Sequence, residues 1–152
     1  MDKNAEGKTI MEPVFYTHTV HYYETDKMDC VHHSNYIRWF EEARIHLMEE
    51  LRFPYQELEA GGIVSPVLHA EADYRTMARF GETMEIAVQV EGYTGTRIAF
   101  SYQVRDKTTG VLRCQGRTSH CFLGEATGRP VSLKKAAPAY HQKVLQALGE
   151  TE

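Results

Sequence analysis

One amphipathic stripe constrains the fold more than any other feature. Tyr36, Ile37, Phe40, Ala43, Arg44, Leu47, Met48 and Leu51 recur at i, i+1, i+4, i+7 and i+8, the spacing of a helix with one apolar face and one arginine inside it. Ser34 is the expected N-cap, and Pro54 ends the run because the residue before a proline is pushed out of helical dihedrals. About eighteen residues give a rod of roughly 27 Å at ~1.5 Å per residue. Almost everything else is β-patterned. Val14, Tyr16, His18, Val20 and Tyr22 share one parity ahead of the helix. Four runs follow it: Ile63 to Tyr74, Thr83 to Glu91, Arg97 to Val104 and Val111 to Leu123. Short glycine-bearing turns, "ARFGE", "GYTGT" and "DKTTG", join them, which implies antiparallel hairpins. A half-apolar sheet must bury one face, and the helix stripe is its only large partner. The expectation is α+β: a curved antiparallel sheet of about five strands wrapped around one long central helix. A weaker helix is expected over Ala136 to Leu148, after the "GRP" turn.

The chain has 152 residues, which suits one domain over residues 13–152 behind a polar, patternless tail over residues 1–12. Net charge is -4, with six Lys/Arg against twelve Asp/Glu in residues 1–60 and eleven against nine in the remainder. Neither part offers the basic stripe that a phosphate backbone needs, so nucleic acid is not an expected partner. Three cysteines, Cys30, Cys114 and Cys121, form no C-x-x-C pair, and an odd number fits reduced thiols and a cytoplasmic location. The N-terminus lacks an apolar signal core and no apolar run approaches 18 residues, so membrane insertion is not expected.

The loop before the helix, "DKMDCVHHSNY" from Asp26 to Tyr36, admits three readings. As a metal site, Asp26, His32 and His33 would be the ligands; adjacent histidines in extended backbone point to opposite sides, and no helical ligand spacing appears, so no metal is assigned. As a plain turn, Asp26 is a turn residue, His32 and His33 are solvated or hydrogen-bonded, and Cys30 is a small core residue. As a catalytic device, Asp26 folds back beside the helix N-terminus, whose unpaired N–H groups and partial positive charge favour a developing oxyanion. A carboxylate facing such donors is what acyl transfer requires. Asp29 either acts on Asp26 by like-charge repulsion or faces water.

The stretch "YYETDKMDCVHHSNYIRWFEEAR", with "GGIVSPV" at Gly61 to Val67 and "GRPVSL" at Gly128 to Leu133, resembles the hotdog-fold acyl-CoA thioesterases of the 4-hydroxybenzoyl-CoA thioesterase type, including the Tol–Pal-associated branch. The resemblance spans about residues 14 to 133. It implies a hotdog fold and hydrolysis of a small, medium or aromatic acyl-CoA to free acid and CoA. By that resemblance Asp26 is the nucleophile or general base, and the His33 backbone amide polarises the carbonyl, with the His33 imidazole as an auxiliary acid/base. Asn35 and Tyr36 match the pair that opens the helix. The resemblance also implies a homodimer, with a tetramer as further pairing, in which Val64, Ser65 and Pro66 line the partner's acyl pocket. Lys27, Met28, Asp29 and His32 depart from the usual small or aromatic residues, which bears on loop shape and substrate preference. Arg75, Arg79, Arg97, Arg105, Arg113 and Arg117 are the cations available for CoA phosphates. No cofactor is expected. The rival readings are a non-catalytic acyl-CoA-binding module and an acyl-thioester hydratase or dehydratase on the same scaffold.

Overall fold

The computed structural model describes residues 11–150. Strand β1 (Val14–Thr19) is followed by a 3-10 turn (Tyr22–Glu24), the Asp26 loop and the long helix α1 (Ser34–Glu50). Helix α1 has 17 residues, and its buried face is Tyr36, Trp39, Phe40, Ala43, Leu47 and Met48. A short helix α2 (Tyr55–Ala60) comes next, beginning directly after Pro54. Strands β2 (Ile63–Val64), β3 (Val67–Tyr74), β4 (Thr83–Tyr93), β5 (Arg97–Asp106), β6 (Leu112–Cys121) and β7 (Leu123–Gly124) complete the β part, and α3 (Leu133–Ala136) and α4 (Pro138–Ala147) close the order.

Five strands form one antiparallel sheet in the order β1-β4-β5-β6-β3, so β1 and β3 are its edges. Strict alternation builds its inner face. Met84, Ile86, Val88 and Val90 of β4 are buried, as are Ile98, Phe100, Tyr102 and Val104 of β5. Helix α1 lies against that face, with Phe40 stacked on Tyr102 at 4.3 Å between centroids. Gly116 makes this approach possible: a Cβ there would stand 2.3 Å from the Glu71 carbonyl oxygen and 2.6 Å from the Phe40 ring. The small β2–β7 pair forms a separate two-stranded sheet.

Several boundaries differ from the sequence expectation. The expected strand over Ile63 to Tyr74 is two strands in different sheets, because Ser65 and Pro66 break the run; Ser65 donates its amide to the Tyr55 hydroxyl and its own hydroxyl to the Cys121 carbonyl. The run Val111 to Leu123 divides likewise into β6 and β7. Ser34 is not the N-cap. His33 holds that position in right-handed helical backbone, and the Ser34 hydroxyl pairs instead with Nδ1 of His32 at 2.8 Å. Tyr22 leaves the β1 pattern for the 3-10 turn and is exposed. Of the expected tail, residues 1–10 lie outside the described residues, while Met11 is buried in the main core. Among the described residues no helix is long and apolar enough to cross a membrane.

Candidate active site

The Asp26 loop is held by backbone bonds that its own short span supplies. The Asp26 amide donates to the Cys30 carbonyl at 2.9 Å and the Asp29 amide to the Asp26 carbonyl at 3.0 Å. Asp29 takes φ 62°, a left-handed conformation that aspartate tolerates better than most residues. Its carboxylate is exposed and lies 3.8 Å from Arg79, which also donates to the Asp29 carbonyl. Asp29 therefore faces solvent and Arg79.

Asp26 itself is half committed. Its Oδ1 accepts the Met28 amide at 2.8 Å and stands 3.7 Å from the Cys30 sulfur. Its Oδ2 makes no hydrogen bond among the described residues. Burial first, and then the neighbouring Asp26 charge, pushes the Cys30 thiol up, so this cysteine is a protonated packing residue. Asp26 lines an open cleft of about 250 Å³ together with Val31, His33, Tyr36, Tyr74 and Arg75.

At the head of α1 the neighbouring amides are occupied: His32 N–H donates to the Glu24 carbonyl, Ser34 N–H to His32 Nδ1, and Asn35 N–H to the His32 carbonyl. The His33 amide makes no hydrogen bond among the described residues, and its carbonyl accepts the Tyr74 hydroxyl at 3.1 Å. Asp26, with an uncommitted carboxylate oxygen, and His33, with an uncommitted amide at the positive end of a 17-residue helix, thus line the same cleft. That pairing can polarise a carbonyl and attack it, or polarise it and activate water.

The other expected site residues separate into two groups. Tyr36 lines the cleft and is buried between Trp39 and Tyr74. Asn35 works from behind: its side-chain amide donates to the Glu24 carbonyl at 2.9 Å and the His32 carbonyl at 3.3 Å, fixing the turn. Ser65 and Pro66 line a different cavity, of about 200 Å³, with Val67, Arg44, Met48, Phe53, His120 and Tyr140. Val64 pairs with Leu123 and lines neither space. The two spaces sit at opposite ends of β3, since Tyr74 borders one and Val67 the other. Seven residue steps of strand separate them by about 23 Å.

Glu24 escaped the sequence reading. It is 4 % exposed, and its carboxylate accepts the His21 amide at 2.7 Å, His18 Nε2 at 2.8 Å and the Trp39 indole N–H at 2.6 Å. Burial works against the charged form, but these donors prevail and hold the Glu24 carboxyl below the usual range. Because its carbonyl receives both His32 N–H and Asn35, Glu24 ties β1, the turn and α1 into one unit. The signal available was the chain's single tryptophan, 15 residues after an acid in a loop, whose indole N–H requires an acceptor when buried.

The metal reading shifts ground. The His32 and His33 rings do not diverge; helical backbone at His33 brings their centroids to 4.1 Å. The ligand atoms that cluster are instead those of His18, His21 and Glu24, within 4.8 Å of one another. Both Glu24 oxygens already accept protein donors, which explains that cluster as a hydrogen-bonded brace. The arginines also sort themselves. Arg113 is half-buried and pairs with Glu82 and Asp106, Arg117 pairs with Glu91, and Arg79 with Asp29, whereas Arg75 borders the Asp26 cleft.

Residues 20–148 match the family model described as thioesterase-like superfamily. The chain belongs to that superfamily. Within the thioesterase-like superfamily, it is 32% identical over 122 residues to a protein named putative acyl-CoA thioesterase YneP from Bacillus subtilis, covering 80% of this chain and 88% of the relative. It is 27% identical over 85 residues to acyl-CoA thioester hydrolase YbgC of Escherichia coli, covering 56% of this chain and 63% of that protein. A crystal structure of a DHNA-CoA thioesterase from Staphylococcus aureus superposes with a TM-score of 0.83 at 29% identity, covering 93% of this chain and 98% of that one. The fold is therefore the hotdog fold of the thioesterases, with the five-stranded sheet and central helix described above.

Proposed function

We propose that this protein is an acyl-CoA thioesterase in which Asp26 and the His33 amide act on one thioester carbonyl. The observation that carries the reading is the coincidence of an uncommitted carboxylate oxygen and an uncommitted helix-terminal N–H in a single cleft. In the reaction, water is added across the thioester, the C–S bond breaks, and CoA leaves as its thiol. The His33 N–H stabilises the carbonyl oxygen as it becomes negative, and Asp26 supplies the nucleophilic oxygen or takes the proton of the attacking water. Arg75, exposed beside the cleft, is the cation placed for a CoA phosphate.

A homodimer completes the site in this reading. Strand β3 is an edge strand exposed along nearly its whole length, and it carries Val67, Leu68 and Tyr74 at 50%, 47% and 50% exposure. Exposed edges of this kind are ordinarily paired. Antiparallel pairing of two β3 edges about a two-fold axis sets Tyr74 of one copy beside Val67 of the other. The Asp26 cleft of one subunit then adjoins the Ser65–Val67 cavity of its partner, and the acyl group reaches from one into the other.

The test is release of free thiol from a panel of acyl-CoAs. The wild-type protein is expected to hydrolyse at least one, and Asp26→Asn to lower kcat by about 10²–10⁴-fold, the range for loss of a positioned acid/base group. A protein that binds acyl-CoA without releasing thiol is a binding module. Equal rates for Asp26→Asn and wild type would dismiss the site.

A further inference from the structure

The second cavity is apolar in most of its lining, yet two polar side chains stand in its wall. Ile45, Met48, Phe53, Ile98, Phe100 and Phe122 supply the apolar surface. Arg44 and His120 interrupt it. His120 is 3 % exposed, and its pKa is pushed down to about 4, first by burial and then by the Arg44 charge, so it is neutral at pH 7.

A chain of hydroxyls holds the ring from behind: the Tyr102 hydroxyl and Thr118 Oγ1 share a hydrogen bond at 2.6 Å, and Thr118 Oγ1 pairs with His120 Nε2 at 2.9 Å. Nδ1 of His120 makes no hydrogen bond among the described residues. Arg44 is similarly under-used: of its five donors, the carboxylate nearest is Glu41 at 3.8 Å, and that glutamate is mostly exposed.

Resting on the thioesterase reading, we infer that His120 and Arg44 select a compact acyl group whose end remote from the thioester carries an oxygen acceptor. The size of the cavity fixes "compact": an apolar cavity of about 150 Å³ takes up benzene, so about 200 Å³ holds a chain of roughly six carbons and not a long fatty acyl tail. Arg44, with the unpaired Nδ1 of His120 beside it, fixes "oxygen acceptor": a buried donor left without a partner opposes an all-hydrocarbon occupant, while a hydroxyl, oxo or carboxylate oxygen satisfies it. Arg44 favours the carboxylate among these, and Glu41 at the same wall disfavours it, so the two oxygen types are separate arms of the test.

The experiment compares kcat/KM for hexanoyl-CoA, its ω-hydroxy derivative and its ω-carboxy derivative, in wild type, His120→Leu, His120→Gln and Arg44→Met. Wild type is expected to prefer at least one oxygenated substrate over hexanoyl-CoA by about tenfold or more. His120→Leu is expected to erase that preference, and His120→Gln, which retains a side-chain donor, to restore part of it. A wild-type preference for hexanoyl-CoA, or an unchanged ratio in His120→Leu and Arg44→Met, overturns the inference. Calorimetric binding of non-hydrolysable thioether analogues of the same three ligands reads the ratio without turnover. Absence of hydrolysis with intact binding discrimination would therefore count against the thioesterase reading alone, and hydrolysis without discrimination against this inference alone.

Discussion

The two ends of β3 are built in opposite ways. At the Tyr74 end, the Asp26 side of the cleft is a product of short-range order: Glu24, Asp26, Cys30, His32 and Asn35 bond one another within a dozen residues. At the Val67 end, the cavity is assembled from α1, the α2 region, β5, β6 and α4, which lie from Glu41 to Val144 in the chain. The first presents a carboxylate and an uncommitted amide, and the second sets apolar surface around Arg44 and His120. On the proposed reading, chemistry and selectivity are carried by separately supported structures. Disturbing one should leave the other folded.

The largest expected effect comes from breaking the connection between the two ends. Ala70 is exposed near the middle of β3, where antiparallel pairing brings the two copies of a residue close to the two-fold axis. Ala70→Asp sets like charges near each other there and is expected to yield a monomer in sedimentation, with kcat/KM lowered about a hundredfold while circular dichroism is retained. A fully active monomer would show that a single subunit carries the whole site.

Next in size is the brace behind the Asp26 turn. Glu24→Gln removes the charge that receives His18, the His21 amide and Trp39, and is expected to cost about 2–3 kcal/mol in denaturant unfolding. The pH dependence has a definite sign. A carboxyl held below its ordinary pKa contributes stability above the unfolded-state value, and that contribution is lost as pH falls through the folded-state value. Wild type should therefore lose stability on the acid side of the carboxylate range, and Glu24→Gln should flatten that limb. An unchanged limb would remove Glu24 from the brace.

Gly116→Ala sharpens the comparison from the core side. Its Cβ would displace the Glu71 carbonyl and Phe40, with an expected loss of about 1–3 kcal/mol. The shift reaches α1 and both ends of β3, so kcat and KM should change together, unlike in Asp26→Asn. The smallest effect belongs to Arg79→Ala: its partner Asp29 is exposed, and the cost should stay below about 1 kcal/mol.

This asymmetry also decides how much could be read in the sequence. Helix α1 and strands β4 and β5 were legible because period 3.6 or period 2 runs unbroken through Tyr36–Met48, Met84–Val90 and Ile98–Val104. The Asp26 loop was legible as a candidate because its parts are consecutive. Helix α2 was missed, since six residues are too few for a periodic signal and Pro54 reads as an end when it is also a beginning. The break at Ser65–Pro66 was hidden by apolar residues on both sides. His120 and Arg44 were illegible as a pair, because only the folded sheet sets position 44 of a helix and position 120 of a strand in the wall of one cavity.

The most direct test is complementation between two inactive proteins, Asp26→Asn, which lacks the acid, and Ile45→Trp, which fills the cavity. Co-refolded in equal amounts, they are expected to recover about a quarter of wild-type thioesterase activity, because half the dimers are mixed and each mixed dimer has one intact site. No recovery from subunits shown to exchange would contradict a site formed by Asp26 of one copy and the cavity of the other.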